Sequence, residues 1–286
     1  MSTEGLPQDA RARDVRNETS RLSFLREVLE SRKSDFYRNR IPYPGTASET
    51  LPWEQVPLLT RDELSRTSLD ERLYSDSQIF VKIVHGVGGP MLIARSPSEL
   101  GKEPWGPTGV RPLVALSSLY ENVEKSLWVY EQNILPLIYL DDVTITALAA
   151  ERYEIDSIVA DEHTLTELAA VLSKECREGI QHVSVIGRGE RSLAKLSFPN
   201  ARAYEIFSLP ETGGIAERCS KNIFPSVWHT FPDSFVETID DELVVTRIAP
   251  LPTPIIRYRT DIQTQEVEAQ CPCGDGKQTL IIETGP

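Results

Sequence analysis

The sequence is short of positive charge and of long apolar runs, and each shortage excludes a class of protein. Its 286 residues carry 30 Lys and Arg against 43 Asp and Glu, a formal net charge of −13. So acidic a chain has no general attraction for phosphate backbones or anionic lipids, and we expect neither nucleic acid nor a membrane as a partner. The longest apolar run, from Ile134 to Leu140, has seven residues and contains Pro136, whereas a membrane-spanning helix needs about 20.

The N-terminus and the cysteines favour a reducing compartment. The opening segment, MSTEGLPQDARARD, lacks the apolar stretch of a secretory signal, and the four cysteines are too unevenly spaced to suggest a disulfide framework. We therefore expect a cytoplasmic protein. The hydrophobic fraction of 40% and the charged fraction of 26% exclude a disordered chain, and the length suits one large domain or two small ones.

Helix and strand signals alternate through the middle of the chain. Apolar residues recur at helical spacing from Leu22 to about Arg40 and predict an amphipathic helix, followed by a connector up to Pro57. Capping boxes, in which a hydroxyl and a glutamate three residues later share the first helical amides, mark helix starts at Thr60/Glu63, Ser96/Glu99, Ser118/Glu121 and Thr164/Glu167. Strands are predicted at 79–84, 113–117, 135–140, 155–160, 182–187 and 203–208.

This alternation predicts an α/β fold with a mostly parallel sheet and flanking helices. After Gly214 strand signals dominate, at 234–239, 242–248 and 278–282, so we expect a small β-rich subdomain. The chain then divides into an N-terminal helix and connector (1–75), an α/β core (76–214) and the β-rich subdomain (215–286).

Three of the four cysteines and one histidine lie in the predicted β-rich subdomain. Cys219, His229, Cys271 and Cys273 form a three-Cys, one-His set that suits tetrahedral zinc. No pair among them has the common C-x₂-C spacing, so ordinary buried thiols are the alternative interpretation. Cys176 shares the apolar face of a predicted helix with Leu165 and Leu172 and is interpreted as a small core residue.

Two phrases carry a family resemblance. Phe207-Ser-Leu-Pro-Glu211-Thr-Gly-Gly follows a predicted strand, and Ile-Ile-Arg-Tyr-Arg-Thr-Asp261 follows a proline-rich turn. They resemble motifs of the acyl-adenylate-forming (AMP-binding) superfamily, in its phenylacetate-CoA ligase branch. The resemblance implies that Phe207 stacks on adenine, that Glu211 is the catalytic residue that faces Mg²⁺, and that Asp261 binds ribose. The α/β core would then be the nucleotide-binding part of the adenylate-forming large domain.

The resemblance extends to the metal set and to most of the chain. The branch holds structural zinc with a Cys, then a His opening a His-x-x-Glu-Asp-x-Phe phrase, then Cys-Pro-Cys-Gly, and this order is similar to that of Cys219, His229, Cys271 and Cys273. Zinc with all four positions filled by protein is therefore the expected state. Further matches are the phrases at 36–38 and 56–64, and a glycine turn containing Gly187 and Gly189, which would contact the nucleotide.

The departures from the family pattern concern the phosphate-binding groups. At the position of the family's phosphate loop the chain has Gly86, Gly88 and Gly89 but neither hydroxyls nor lysine. Backbone amides alone could cradle an anion there, and a glycine-rich β-turn is the alternative. Pro210 replaces a threonine, the glycine before Asp261 is absent, and the run between 123 and 156 is condensed. We also expect that the family's C-terminal lysine domain is absent, since the sequence stops at Pro286.

These features lead to three functional hypotheses. The first is a reduced adenylate-forming protein that binds ATP or AMP, Mg²⁺ and a small carboxylic acid, and makes acyl-AMP at most, without thioester synthesis of its own. The second is an inactive descendant that binds a small molecule or a protein. A scaffold subunit is a third reading, and a protein partner or a homo-oligomer is compatible with all of them.

Overall fold

The structure is a computed structural model. It describes residues 18–30, 34–42, 51–74, 80–84, 90–95, 109–116, 134, 136–139, 142–187, 197–219, 221, 227–247, 252–267, 271, 273 and 278–282. Within these ranges no helix is both long and apolar enough to cross a membrane. The predicted capping boxes at Ser96 and Ser118, and the glycines Gly86, Gly88, Gly89 and Gly189, lie outside the described residues.

Helices and strands together give a mixed α/β fold. The helices are α1 Glu18–Glu30, α2 Asp35–Arg40, α3 Arg61–Arg66, α4 Leu69–Arg72, α5 Val143–Tyr153, α6 Glu162–Val171 and α7 Lys174–Gly179, with a 3-10 turn at Trp53–Gln55. The strands are β1 Phe80–Val84, β2 Met91–Arg95, β3 Pro112–Ala115, β4 Leu137–Ile138, β5 Ser157–Asp161, β6 His182–Gly187, β7 Arg202–Leu209, β8 Gly213–Arg218, β9 Val227–Thr230, β10 Ser234–Ile239, β11 Glu242–Arg247, β12 Ile255–Val267 and β13 Thr279–Ile282.

The chain forms two compact units. The first unit contains Met1–Glu99, Thr230–Gln270 and Gly276–Leu280, and the second contains Leu100–His229, Cys271–Asp275 and Ile281–Pro286. The division into 1–75, 76–214 and 215–286 stays a prediction from sequence.

The second unit is built on a parallel sheet. β3 pairs in parallel with β4 and with β5, β5 with β6, and β6 with β7, while β8 returns antiparallel to β7. Parallel strands need crossovers, and α5 to α7 supply two of them. Their apolar faces pack with the strands in a buried cluster that includes Leu113, Ile158, Leu165, Leu168, Ile180, Val183 and Phe198. The predicted α/β pattern is thereby confirmed.

The first unit combines short helices with antiparallel strands. β1 and β2 pair antiparallel from Phe80↔Arg95 to Val84↔Met91, and β10, β11 and β12 form an antiparallel meander. The apolar face of α1 packs with the connector and with β12 in a buried cluster that includes Val28, Tyr37, Trp53, Leu59, Leu64, Ile93 and Ile256. Leu59 bridges Tyr258, so the connector follows β12.

Three helix predictions have different outcomes. The capping box at Thr60 is confirmed: its hydroxyl accepts from Glu63 N–H at 3.2 Å, and Glu63 accepts from Thr60 N–H at 2.8 Å. The box at Thr164 is wrong, because Asp161 is the N-cap and its carboxylate accepts from the amide of Thr164, which puts Thr164 inside the first turn. The region from Leu22 to Arg40 forms two helices rather than one.

Replacing Thr60 by alanine should lower the free energy of unfolding by about 1 kcal/mol, because an early amide of α3 loses its acceptor. Ser65→Ala in the same helix is the matched control, since Ser65 only donates to the carbonyl of Asp62 at an exposed position. Urea unfolding of both variants measures the difference. Equal midpoints would contradict a stabilising cap at Thr60.

Candidate functional site

The four predicted metal ligands come together in the second unit. The ligand atoms of Cys219, His229, Cys271 and Cys273 all lie within 4.8 Å of one another. The Sγ atoms of Cys219 and Cys271 are 3.5 Å apart, and Cys273 Sγ is 3.3 Å from His229 Nε2. Tetrahedral zinc with bonds of about 2.3 Å to sulfur would separate its ligand atoms by roughly 3.5–3.8 Å. The four side chains therefore fit a single tetrahedral ion.

Local structure explains how the ligands meet. Cys219 follows β8, and its N–H donates to the carbonyl of Val227 at the start of β9, which holds the two segments side by side. His229 lies on β9 two residues later, so its side chain is on the same face as Val227. Val227 packs with Cys219 and Cys271 in a small buried cluster. Neighbouring backbone thus presents three ligands to one point, with Cys273 two residues after Cys271.

Electrostatics at the cluster call for a cation. Burial raises the pKa of the Cys271 thiol, and the adjoining thiols of Cys219 and Cys273 raise it further, because a thiolate there would lie close to other sulfur atoms. A divalent cation reverses this effect, since it binds the deprotonated sulfur directly. His229 Nδ1 is buried and has no hydrogen-bond partner among the described residues. The residues therefore fit a metal ion, and three thiols with one imidazole are a zinc donor set.

Other predicted site residues lie at the carboxyl ends of the parallel strands. Gly187 ends β6, and β7 runs into the turn Pro210–Glu211–Thr212 before β8 begins. The Glu211 side chain is buried, at 4% relative exposure. A Cβ on Gly187 would lie 3.0 Å from Glu162 Cγ, so the backbone approaches that side chain closely. Ligands of open α/β sheets bind at this end of the strands, which makes it the candidate nucleotide site.

Phe207 and Asp261 have contrasting surroundings. The Phe207 ring has no exposed surface and packs against Trp228, with ring centroids 5.9 Å apart. Stacking on adenine would require this packing to change. Asp261 is an exposed residue of β12 in the first unit, next to Thr260, whose hydroxyl donates to the carbonyl of Leu243. Phe207 belongs to the second unit and Asp261 to the first.

The predicted phosphate-loop glycines are flanked by described strands. β1 and β2 pair antiparallel up to Val84↔Met91, on both sides of the segment that holds Gly86, Gly88 and Gly89. A connection between antiparallel neighbours is typical of a hairpin. The glycine segment lies outside the described residues, so the β-turn and the phosphate cradle both stay predictions.

Sequence reasoning missed a buried cluster beside the metal ligands. Glu205 of β7 and Arg218 of β8 form a buried ion pair with 2.7 Å between carboxylate and guanidinium. The same guanidinium lies 5.0 Å from the centroid of the Trp228 ring. The sequence shows only that Arg218 and Trp228 each directly precede a predicted metal ligand. Nothing in the spacing, however, says that they meet.

Cys176 packs partly buried against apolar residues, as predicted, but the single helix predicted for Cys176, Leu165 and Leu172 is wrong, because α6 ends at Val171. Cys176 lies on α7, a separate short helix, and packs against the apolar cluster of the second unit. The cluster of Cys219, His229, Cys271 and Cys273 does not include it. It is therefore a natural control thiol.

Sequence comparisons find no match, whereas structural comparisons do. No protein-family model and no curated protein matches the chain. A variant of MenE from Escherichia coli with bound OSB-AMS aligns with a TM-score of 0.51 at 10% identity, over 73% of this chain and 49% of that one. The N-terminal subdomain of Klebsiella oxytoca NpsA, in complex with anthranilyl-AMSN, gives 0.52 at 13% identity, over 77% and 67%.

A third structure agrees. The putative long-chain-fatty-acid CoA ligase from Rhodopseudomonas palustris aligns with a TM-score of 0.52 at 14% identity, over 70% of this chain and 58% of that one. The chain spans about half to two thirds of the length of these three structures. At such low identity the likeness concerns the fold alone, and it shows that this chain shares the fold of the aligned parts of these structures.

Proposed function

We propose that this chain is a phenylacetate-CoA ligase-like adenylate-forming protein that binds an adenine nucleotide and a small carboxylic acid. The observation that carries the proposal is the buried carboxylate of Glu211 at the carboxyl end of β7. Open α/β sheets bind ligands at that end of their strands, and the similar family motif has its Mg²⁺-facing glutamate in the same place.

The surroundings of Glu211 suggest how the nucleotide would be held. Glu211 would ligate Mg²⁺, which neutralises phosphate charge when bound, and Gly187 would contact the nucleotide through its backbone. Phe207 and Asp261 are proposed to contact adenine and ribose. Gly189 and the glycines of segment 85–89 would offer only backbone amides.

The proposed chemistry extends to acyl-AMP at most. The segment Val84-His-Gly-Val-Gly-Gly-Pro90 has neither hydroxyl nor lysine, and each missing charge-assisted phosphate contact costs roughly 1.5–3 kcal/mol. A few such losses slow turnover by several orders of magnitude, at tenfold per roughly 1.4 kcal/mol. Thioester synthesis by this chain alone is not part of the proposal.

We further propose that Cys219, His229, Cys271 and Cys273 hold one structural zinc ion. With four protein ligands no coordination position is left for a reacting water. The ion's contribution would be to stabilise the ends of β8 and β9 against each other.

ATP with Mg²⁺ should raise the melting temperature of the zinc-loaded protein. A single site at a hundredfold excess of ligand over Kd stabilises by about 2.7 kcal/mol, or roughly 5–10 °C for a protein of this size. Glu211→Gln should lose most of the shift, because the neutral amide does not hold the cation. Glu175→Gln on α7 is a charge-matched control and should keep it. A shift unchanged in Glu211→Gln would contradict the proposed role.

The second candidate function is an inactive binding module. Two observations favour it: segment 84–90 has neither hydroxyl nor lysine, and the ring of Phe207 is fully enclosed. ATP–pyrophosphate exchange screened against short, aryl and fatty acids separates the two candidates. Acid-dependent exchange that disappears in Glu211→Gln supports adenylation. Nucleotide binding without any exchange supports the module.

A further inference from the structure

β9 carries the metal ligand His229, and Cys219 follows β8. The same two strands carry Trp228 and Arg218, whose side chains contact residues of β7. Trp228 directly precedes His229 on β9, and Arg218 directly precedes Cys219 at the end of β8. Successive residues of an extended strand point to opposite faces. On β9, therefore, Val227 and His229 face the metal cluster, while Trp228 faces the other way.

On that opposite face Trp228 contacts groups that lead to β7. Its ring is 5.9 Å from the Phe207 ring at 56°, and 5.0 Å from the Arg218 guanidinium. Arg218 in turn pairs with Glu205 at 2.7 Å. Trp228 and Phe207 are both fully buried. In closely packed interiors such contacts have few alternative arrangements, so a shift of β9 would be felt at β7.

Phe207, which Trp228 contacts, lies on β7, and this strand leads into the turn that holds Glu211 of the candidate nucleotide site. Phe207 pairs with Ala216 of β8, Leu209 pairs with Gly213, and Glu211 lies in the turn between these strands. A register shift follows Phe207, so the ladder is irregular just before the turn. Trp228 thus contacts the hairpin β7–β8 at Phe207, four residues before Glu211 in the turn.

We propose that Trp228 is a positioning residue that couples occupancy of the metal centre to the conformation of the β7–β8 hairpin, and so to Glu211. The coupling to the hairpin is independent of any nucleotide, and only its consequence at Glu211 rests on the proposed function. Linkage makes the effect reciprocal: whatever orders the hairpin also tightens metal binding by the same factor.

The indole N–H provides a control variant. Trp228 Nε1 is buried and has no hydrogen-bond partner within the part of the chain that the structure describes. Trp228→Phe therefore keeps an aromatic ring against Phe207 and removes a donor without an acceptor there. Trp228→Leu removes the ring contacts to both Phe207 and Arg218.

Hydrogen exchange of the zinc-loaded protein tests the coupling. Trp228→Leu should speed exchange of the β7–β8 amides by at least about tenfold while one equivalent of zinc stays bound, and Trp228→Phe should restore most of the protection. Removing zinc from the wild type should speed the same amides, and should do so by a larger factor than in Trp228→Leu. If Trp228→Leu loses zinc, Phe207→Leu replaces it, because that residue lies farther from the ligands.

A spectroscopic readout separates positioning from general stability. The emission difference between wild type and Trp228→Phe isolates Trp228, and we expect it to shift when zinc is removed. Unchanged hairpin exchange in the zinc-loaded leucine variants, or equal acceleration in them at β3, β5 and β7, would overturn the proposal, because the Trp228 ring contacts would then stabilise the whole unit or none of it. Neither measurement needs nucleotide, so failure to bind ATP leaves the result interpretable.

Discussion

Cys271→Ser is expected to lose zinc and to unfold far more easily than the wild type. Cys271 is buried, with its Sγ 3.5 Å from that of Cys219, so its thiolate would share one ion with three other ligands. Structural zinc sites contribute about 10 kcal/mol or more to folding in small domains. Loss of one ligand should lower the free energy of unfolding by more than about 4 kcal/mol. Metal analysis and urea unfolding of the purified variant measure both effects.

Cys176→Ser is the matched control. Cys176 is partly buried in the apolar cluster of the second unit and takes no part in the metal cluster. It should retain one equivalent of zinc and lose only about 1 kcal/mol, as is usual for a small polar change at a half-buried position. Full zinc content in Cys271→Ser, with unchanged unfolding, would contradict the metal centre.

Acidification should release the zinc, and the direction follows from the thiols. The pKa of Cys271 is raised in the metal-free protein, so its thiol stays protonated to a higher pH than a free cysteine. Zinc binding must displace that proton, and as pH falls protons compete more strongly for the sulfur. Zinc retention is therefore complete at neutral to alkaline pH and is lost as pH decreases.

Arg257→Met should strongly destabilise the first unit. The guanidinium is 6% exposed and pairs with Glu237 at 3.2 Å. It also donates to the carbonyls of Val56 at 2.6 Å and Glu54 at 2.9 Å. The variant would leave a largely buried carboxylate and several carbonyls without their donor. Breaking one side of such a pair costs about 3–5 kcal/mol.

The backbone at Arg257 supports the same expectation. Its φ is 49°, in the left-handed region that non-glycine residues avoid. Such a conformation persists only where surrounding contacts enforce it. The side-chain contacts of Arg257 with the connector therefore hold β12 in a conformation that its own sequence does not favour.

Arg259→Met is the control two residues away. Arg259 is 33% exposed in its side chain and pairs with Glu242 and Asp240 near the surface. Exposed pairs are worth at most about 1 kcal/mol, so its unfolding midpoint should stay close to that of the wild type. Equal destabilisation by both variants would contradict the distinct role given to Arg257.

The sequence predicts regular elements well where local chemistry decides them. β6 at His182–Gly187 and β10 at Ser234–Ile239 have the predicted bounds, and the Thr60 cap has the predicted hydrogen bonds. The Thr164 cap fails because an aspartate three residues earlier offers a better acceptor for the same amides. Local patterns do not rank two competing caps.

The candidate site was predicted only as far as the family resemblance reached. His229 and Cys271 are 42 residues apart, and chain spacing alone left zinc and buried thiols as alternatives; their proximity is a property of the fold. The enclosure of Phe207 by Trp228 was not foreseen, because two aromatic residues on different strands give no signal in sequence. The role of Arg257 was equally hidden, since its acceptors are backbone carbonyls that every residue possesses.

A crystal structure of the zinc-loaded protein grown with ATP and Mg²⁺ tests the account most directly. The account predicts one zinc ion between Cys219, His229, Cys271 and Cys273, and a nucleotide at the carboxyl ends of β6 and β7 with Mg²⁺ beside the Glu211 carboxylate. A nucleotide bound at the opposite ends of these strands, or a Glu211 side chain that no part of the nucleotide or its metal approaches, would contradict it.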